Sequence, residues 1–424
     1  MFTEILKFKK QIIELGVPAL VSRGTLVLWG LVAILIVRVL PEETYAAYAL
    51  ARSVQLFGVL FGGGFILQAI IKFSAEGDTE REQRLANAGI VLASGMAVIT
   101  ALLLLFGGGL LQSFYSDIDM SGIPQVLALF VIVSTASQLP RSLLVAKHRM
   151  KEVMIADLAS FAVRTGAVGW MILTGSLNSP LQVFGAMIAG NAAALLINVW
   201  LARDLVSPSL GISPGKMRIV MGFAVVSLGT GLANFVYTRT DILVLGKLAL
   251  PSEVAGYGAC RTLTAFVINL SIAANMILLP LISRMWRQGN RDGILKRVLS
   301  GILIIELIQL PVVLLYTVFS KPLLHVLYQG KYDFAWPVMI ILGSLSVIRP
   351  FGSLFSVMSL GMGKPSYSMY SVLVSAGINL VLNFLLIPKY GAFGAAIATS
   401  AAVICGASAV IIPTIRYWNR NRFA

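Results

Sequence analysis

ANAGIVLASGMAVITALLLLFGGGLL, running from Ala86 to Leu111, is 26 residues long and holds no charged side chain. At 1.5 Å per residue a helix of that length covers about 39 Å, enough to cross a hydrocarbon core of about 30 Å with some tilt. Outward from it, comparable runs lie at about 17–39, 46–71, 122–145, 153–174 and 181–201. After a polar stretch they resume at about 219–247, 254–282, 298–320, 335–360, 366–387 and 391–415. Composition agrees: 58% of the 424 residues are hydrophobic, 12% are charged, and the mean hydropathy is +0.87. A soluble domain carries roughly 25% charge, so lipid must be part of the solvent here. A transmembrane barrel is excluded, because its strands are about 10 residues long and alternate in polarity. The sequence therefore predicts an all-α polytopic membrane protein with 12 transmembrane helices. Lys7, Lys9 and Lys10 precede a first run that is too long for a cleavable signal peptide and lacks a small-residue cleavage site.

The net charge of +15, from 33 basic against 18 acidic residues, would suggest a nucleic-acid partner on a soluble protein. Sorted by span boundary it reads as topology. With the N-terminus inside, 22 of the 33 basic residues fall on cytoplasmic segments and five outside, so both termini are expected in the cytoplasm and no nucleic acid is implied. The remaining six are arginines within spans. Cys260 and Cys405 both sit in apolar runs, where no disulfide is expected.

The chain also repeats itself. Tyr48, Arg52 and Phe57 recur as Tyr257, Arg261 and Phe266 at an offset of 209, and Phe184–Ala189 (FGAMIA) recurs at the same offset as Phe393–Ala398 (FGAAIA). The halves are read as an N-terminal six-helix lobe, 1–205, a cytoplasmic linker, 206–218, and a C-terminal six-helix lobe, 219–424. Six spans is an even number, so the repeats are parallel. In such transporters the substrate site lies near the midplane between repeats that rock to alternate access.

Charges at membrane depth cost at least about 2.5–3.5 kcal/mol each on insertion scales. Six arginines (Arg23, Arg52, Arg164, Arg239, Arg261, Arg349) and three acids (Asp157, Asp241, Glu306) fall there. The excess of cations favours an anionic ligand, and guanidinium grips phosphate oxygens in bidentate fashion without losing its proton. All six arginines are candidate substrate-binding residues; the three acids are candidates for binding a coupling ion, H⁺ or Na⁺. Asp241 and Arg261 share a depth on adjacent spans, so a structural ion pair is equally open to them. Asp157, one turn from the cytoplasmic end, is open to a snorkelling role. The intramembrane Asn and Gln residues, Asn198, Asn275, Asn379 and Asn383 among them, fit interhelical bonding. Pro140, Pro280, Pro311 and Pro350 should kink their helices, and Gly62–Gly64 and Gly107–Gly109 permit bending or close approach. His148 and His325 fall on opposite sides of the membrane and cannot share a metal, and no catalytic or nucleotide-binding constellation is present. Enzyme activity and a bound cofactor are not expected.

Three stretches carry a family resemblance: Asp241–Gly246 (DILVLG) with Glu253–Tyr257 (EVAGY), Leu323–Ala335 (LLHVLYQGKYDFA) and Ile387–Thr399 (IPKYGAFGAAIAT). With twelve spans in two halves, they resemble the multidrug/oligosaccharidyl-lipid/polysaccharide (MOP) exporter superfamily with its MATE-like fold, and within it the Wzx-type O-antigen flippases. The resemblance implies flipping of an undecaprenyl-diphosphate-linked glycan, an O-antigen or exopolysaccharide unit, across a bacterial inner membrane toward the periplasm. It also implies a polysaccharide polymerase and a chain-length regulator as partners in lipopolysaccharide biosynthesis. The related lipid II flippases use arginines in spans one, two and eight, and Arg23, Arg52 and Arg261 occupy similar places. Gly24 follows Arg23 where those flippases tend to carry an acid, and 12 spans replace their 14, which favours the O-antigen branch. A drug/cation antiporter of the same fold is the competing class and would want an anionic cavity.

Overall fold

The structure is a computed structural model and describes residues 16–75, 79–205 and 213–421. Lys7, Lys9, Lys10, Arg422, positions 206–212 of the expected linker and the Phe266 side chain lie outside the described residues. Every regular element described is helical. Two compact units divide the chain between residues 232 and 233, with residues 33–38 belonging to the second. Among the described residues ten helical segments are long and apolar enough to cross a membrane. Their outer surfaces are apolar, as a lipid-facing helix requires: Leu173 is 86% exposed and Phe106 84%.

In the first unit, α1 (Val17–Val39) precedes α2 (Glu42–Val59), which passes through a π-turn at Leu60–Gly64 into α3 (Phe65–Phe73). Then come α4 (Thr79–Phe106), the short α5 (Gly108–Phe114), α6 (Ile123–Ala146), α7 (Met150–Leu173) and α8 (Pro180–Leu201). Its core gathers Ile66, Ile70, Leu85, Ala93 and Leu143 with Val220 and Ala224 from the start of α9 (Pro214–Leu248). At one edge of the unit Lys147 pairs with Glu82 at 2.5 Å, and Arg149 with Glu152 at 2.6 Å and Asp204 at 2.7 Å. Hydrogen bonds from Arg149 hold the Asp204 carboxyl below its ordinary range.

The second unit holds the end of α9, then α10 (Pro251–Arg287), α11 (Asp292–Val318), α12 (Ser320–Tyr328), α13 (Trp336–Leu345), α14 (Arg349–Gly361) and α15 (Pro365–Asn421). Ile282, Val298, Ile302, Leu354, Met358, Val410 and Trp418 pack together as its core. The 57 residues of α15 would reach about 85 Å if straight, far more than a bilayer accommodates. The helix breaks at Gly391 (φ 52°, ψ −131°), where an added Cβ would meet the Glu253 carboxylate.

A broken helix inside a bilayer frees backbone groups that lipid cannot satisfy, and side chains repair two of the breaks here. Gly63 takes φ 109° in the π-turn, and Thr135 Oγ1 donates to the Gly62 carbonyl at 2.7 Å. Between α13 and α14, Gln309 Nε2 donates to the Ser346 carbonyl at 3.1 Å. Pro140, Pro280 and Pro311 lie within continuous helices, and Pro350 opens α14 at an interruption. A proline deletes one ladder bond, whereas a glycine at positive φ takes a backbone conformation that L side chains rarely adopt. A Cβ at Gly63 would also come within 3.0 Å of the Ala93 carbonyl oxygen. Gly63→Ala is therefore expected to cost about 1–3 kcal/mol, read as a lower apparent melting temperature in detergent. Gly30→Ala, with open space around it, should hold or raise that temperature through helix propensity.

Candidate functional site

In the first unit the span charges gather around Asp157 and Arg164, both on α7. Asp157 is held by Arg141 in a fork, Nε to Oδ1 at 3.1 Å and Nη2 to Oδ2 at 2.9 Å, and it also accepts from Ser22 Oγ of α1. That geometry replaces the snorkelling expected for Asp157. Arg164 sits two turns further along the same helix. Its guanidinium lies 4.7 Å from the Trp29 ring centroid and 5.7 Å from that of Phe161, so aromatic faces flank it, while Asp157 acts on it through space without a bond. Its Nε is buried without a partner among the described residues. Arg52 is half-buried on α2, donates to Gln55 Oε1 one turn away, and lies close enough to repel Arg164 electrostatically. Arg23 is exposed on α1 and bonds to no acid among the described residues.

The second unit centres on Asp241, which is 1% exposed. Its carboxylate accepts from Arg261 Nη1, from the Tyr257 hydroxyl and, at 2.9 Å, from the Ile242 backbone amide. Arg261 also donates to the Thr238 carbonyl. The Tyr257 hydroxyl reaches Thr399 Oγ1 at 3.2 Å, Asn379 Nδ2 reaches the same oxygen at 3.4 Å, and Asn383 Nδ2 donates to Asn379 Oδ1 at 2.9 Å. A polar chain thus crosses four helical segments inside the apolar core. Of the two roles open to Asp241 and Arg261, the structure displays the ion pair, with side chains 2% and 25% exposed. Arg239 is half-buried and has an interaction of its own. Glu306 takes a bond from Gln309 Nε2 at 2.9 Å and meets no arginine there. Arg349 opens α14, half-buried, with no bonded partner among the described residues.

Of the three span acids, Asp157 pairs with Arg141 and Asp241 with Arg261, whereas Glu306 takes only an amide bond from Gln309 and its Oε1 is buried without a partner among the described residues. Arg23, Arg52, Arg164 and Arg349 bond no carboxylate among the described residues. Sequence reasoning missed Arg141, which the positive-inside count assigns to the cytoplasmic face; the available signal was its spacing of 16 from Asp157 across one helical hairpin. It also missed Trp29 and Phe161, whose faces become visible only when α1 and α7 pack. No group of three or more His, Cys, Asp or Glu residues that could hold a metal occurs among the described residues. Because Arg141 and Asp157 are only 26% and 20% exposed, Arg141→Leu alone should cost on the order of 3 kcal/mol by stranding the carboxylate. Adding Asp157→Asn should recover most of the lost thermal stability, a coupling readable from a double-mutant cycle.

Comparison with known proteins supplies the context. The structure superposes on an inward-facing multidrug resistance MATE family transporter of the MOP superfamily with a TM-score of 0.77 at 15% identity, covering 97% of this chain and 99% of the other. It superposes on the lipid II flippase MurJ, inward closed conformation, with a TM-score of 0.76 at 13% identity, covering 97% and 90%. These likenesses establish an all-α MATE/MOP fold and a multi-pass integral membrane protein. Among curated sequences, the probable low-salt glycan biosynthesis flippase Agl15 of Haloferax volcanii is 22% identical over 276 residues, 65% of this chain and 57% of its own length. The aligned region thus spans little more than half of that relative. Residues 262–420 match the lipid II flippase MurJ family. Residues 35–337, well over half of the chain, match a larger one, and the protein belongs to that polysaccharide biosynthesis protein family.

Proposed function

We propose that this protein moves a lipid-linked glycan across the membrane by alternating access, with a diphosphate head recognised by the intramembrane arginines of its first unit, Arg23, Arg52 and Arg164. The observation that carries the reading is the mismatch of charge partners. Each span acid already has a cation or an amide, while Arg23, Arg52, Arg164 and Arg349 bond no carboxylate among the described residues. Unmatched guanidinium groups at membrane depth are tolerated where water or an anionic ligand reaches them, and a lipid diphosphate brings such an anion while leaving its hydrocarbon in the bilayer. Family membership and the named glycan flippase relative support the substrate class.

Within that class the comparisons carry both substrates: the longer family match and Agl15 are named for polysaccharide or glycan biosynthesis. The C-terminal match and one of the fold matches both carry the lipid II flippase name. The O-antigen assignment, with its bacterial inner membrane, polymerase and chain-length regulator, rests on motif resemblance. A multidrug antiporter draws on the fold match to the MATE transporter, but it would want free carboxylates, and Asp157 and Asp241 are both occupied by arginine. Of the three span acids, Glu306 has no cationic partner and a buried Oε1 without a bonded partner among the described residues, which makes it the one placed for H⁺ or Na⁺ coupling.

The twelve-span reading with six-helix lobes 1–205 and 219–424 fits this function. The break at Gly391 gives α15 the length of two spans, and α10, 37 residues long, supplies a further one. Tyr48 and Tyr257, related by the offset of 209, each contact the last span of their own unit, at Phe184 and Thr399.

Arg52→Ala and Arg164→Ala should each reduce glycan flipping at least tenfold, measured with a fluorescent polyprenyl-diphosphate glycan in proteoliposomes. Lysine at position 164 should not restore it, because an ammonium lacks the planar fork that lies over Trp29. Normal flipping by both alanine variants would sink the reading.

A further inference from the structure

Away from the Asp241 chain, the second unit has a half-open cavity of about 200 Å³ between α9, the start of α14 and both arms of α15. Its wall includes Tyr237, Arg349 and four serines, Ser353, Ser356, Ser371 and Ser375. An apolar cavity of about 150 Å³ holds one benzene ring, so this volume suits a single substituted six-membered ring and excludes an oligosaccharide.

The hydroxyls differ in what they offer, because each carries one proton and two lone pairs. Ser371 donates to the Gly406 carbonyl at 2.6 Å and Ser375 to the Ala402 carbonyl at 3.1 Å, so both present lone pairs to the cavity. Ser353 accepts from Asn275 Nδ2 at 2.8 Å and keeps its proton free, and Ser356 Oγ has no partner among the described residues. Arg349 adds a cation that bonds no carboxylate there, at the N-terminus of a half-helix starting within the span, where the helix dipole is also positive. A phosphate would need donors on all sides, and the lone pairs of Ser371 and Ser375 would oppose it. A ring bearing several hydroxyls and one carboxylate satisfies acceptors, donors, cation and the amphipathic Tyr237 ring together.

We propose that this cavity is a subsite for one acidic pyranose of the transported glycan, its carboxylate on Arg349 and its hydroxyls on the serines. The inference rests on the lipid-linked glycan reading and narrows the sugar. It is tested by saturation-transfer NMR on the full chain in nanodiscs, with D-glucuronate, D-glucose and inorganic phosphate as probes. Glucuronate should bind at least tenfold more tightly than glucose, and phosphate should not displace it. Arg349→Gln should reduce glucuronate to the level of glucose, while Ser356→Leu, filling the cavity, should weaken both. Equal binding of the two sugars, no binding of either, or displacement by phosphate would overturn the subsite. Should Arg349→Gln not fold, the wild-type sugar ratio and phosphate competition decide alone. Flipping in proteoliposomes is read separately. Intact flipping without glucuronate preference overturns only this inference, and glucuronate binding without flipping overturns the transport reading.

Discussion

Hydrocarbon satisfies neither a charge nor a free backbone amide, and that constraint orders every irregular feature of this molecule. At two of the helix breaks a side chain from a neighbour supplies the missing bond, Thr135 at Gly62 and Gln309 at Ser346. Two of the acids that enter the bilayer are matched, Asp157 by a guanidinium fork and Asp241 by a guanidinium with a phenol. Such pairs add little net stability over an apolar core, yet losing one partner is costly. They therefore fix helix positions more firmly than they strengthen the fold.

Against that background the arginines are distinctive. Arg164 meets the constraint through π-faces, which leave its outer N–H groups unclaimed by any carboxylate among the described residues. A cation held this way keeps its charge and geometry and can still exchange ligands. The contrast with Arg261, committed to Asp241 and to a backbone carbonyl, separates one arginine able to receive an anion from one that organises the core. The two look alike in the sequence, each a lone basic residue in an apolar helix.

The class of fold is written in the sequence because bilayer thickness imposes a length that composition reveals, and Ala86–Leu111 suffices to read it. Depth was legible too: counting from span ends put Asp241 and Arg261 at one level, and they bond. What escaped depends on azimuth, the direction a side chain takes around its helix, which length and charge counts do not encode. Arg141 was grouped with the cytoplasmic basic residues because it lies near a span end, though its side chain turns inward to Asp157. Trp29 stands out only once Arg164 packs over it. Serine, too small and common to attract notice, lines the cavity beside Arg349 unannounced by any motif.

The folding-back of α15 has a mechanical corollary. Its two arms are tied at three levels, by Ser371 to Gly406, Ser375 to Ala402 and Asn379 to Thr399, so neither arm slides without the other. Ser375 faces the cavity, and Asn379, one turn along, belongs to the chain that reaches Asp241. Occupancy of the cavity and the state of the buried carboxylate therefore act on one rigid body. If a ligand in the cavity shifts the equilibrium at that carboxylate, reciprocity requires the carboxylate to shift the cavity's affinity by the same factor.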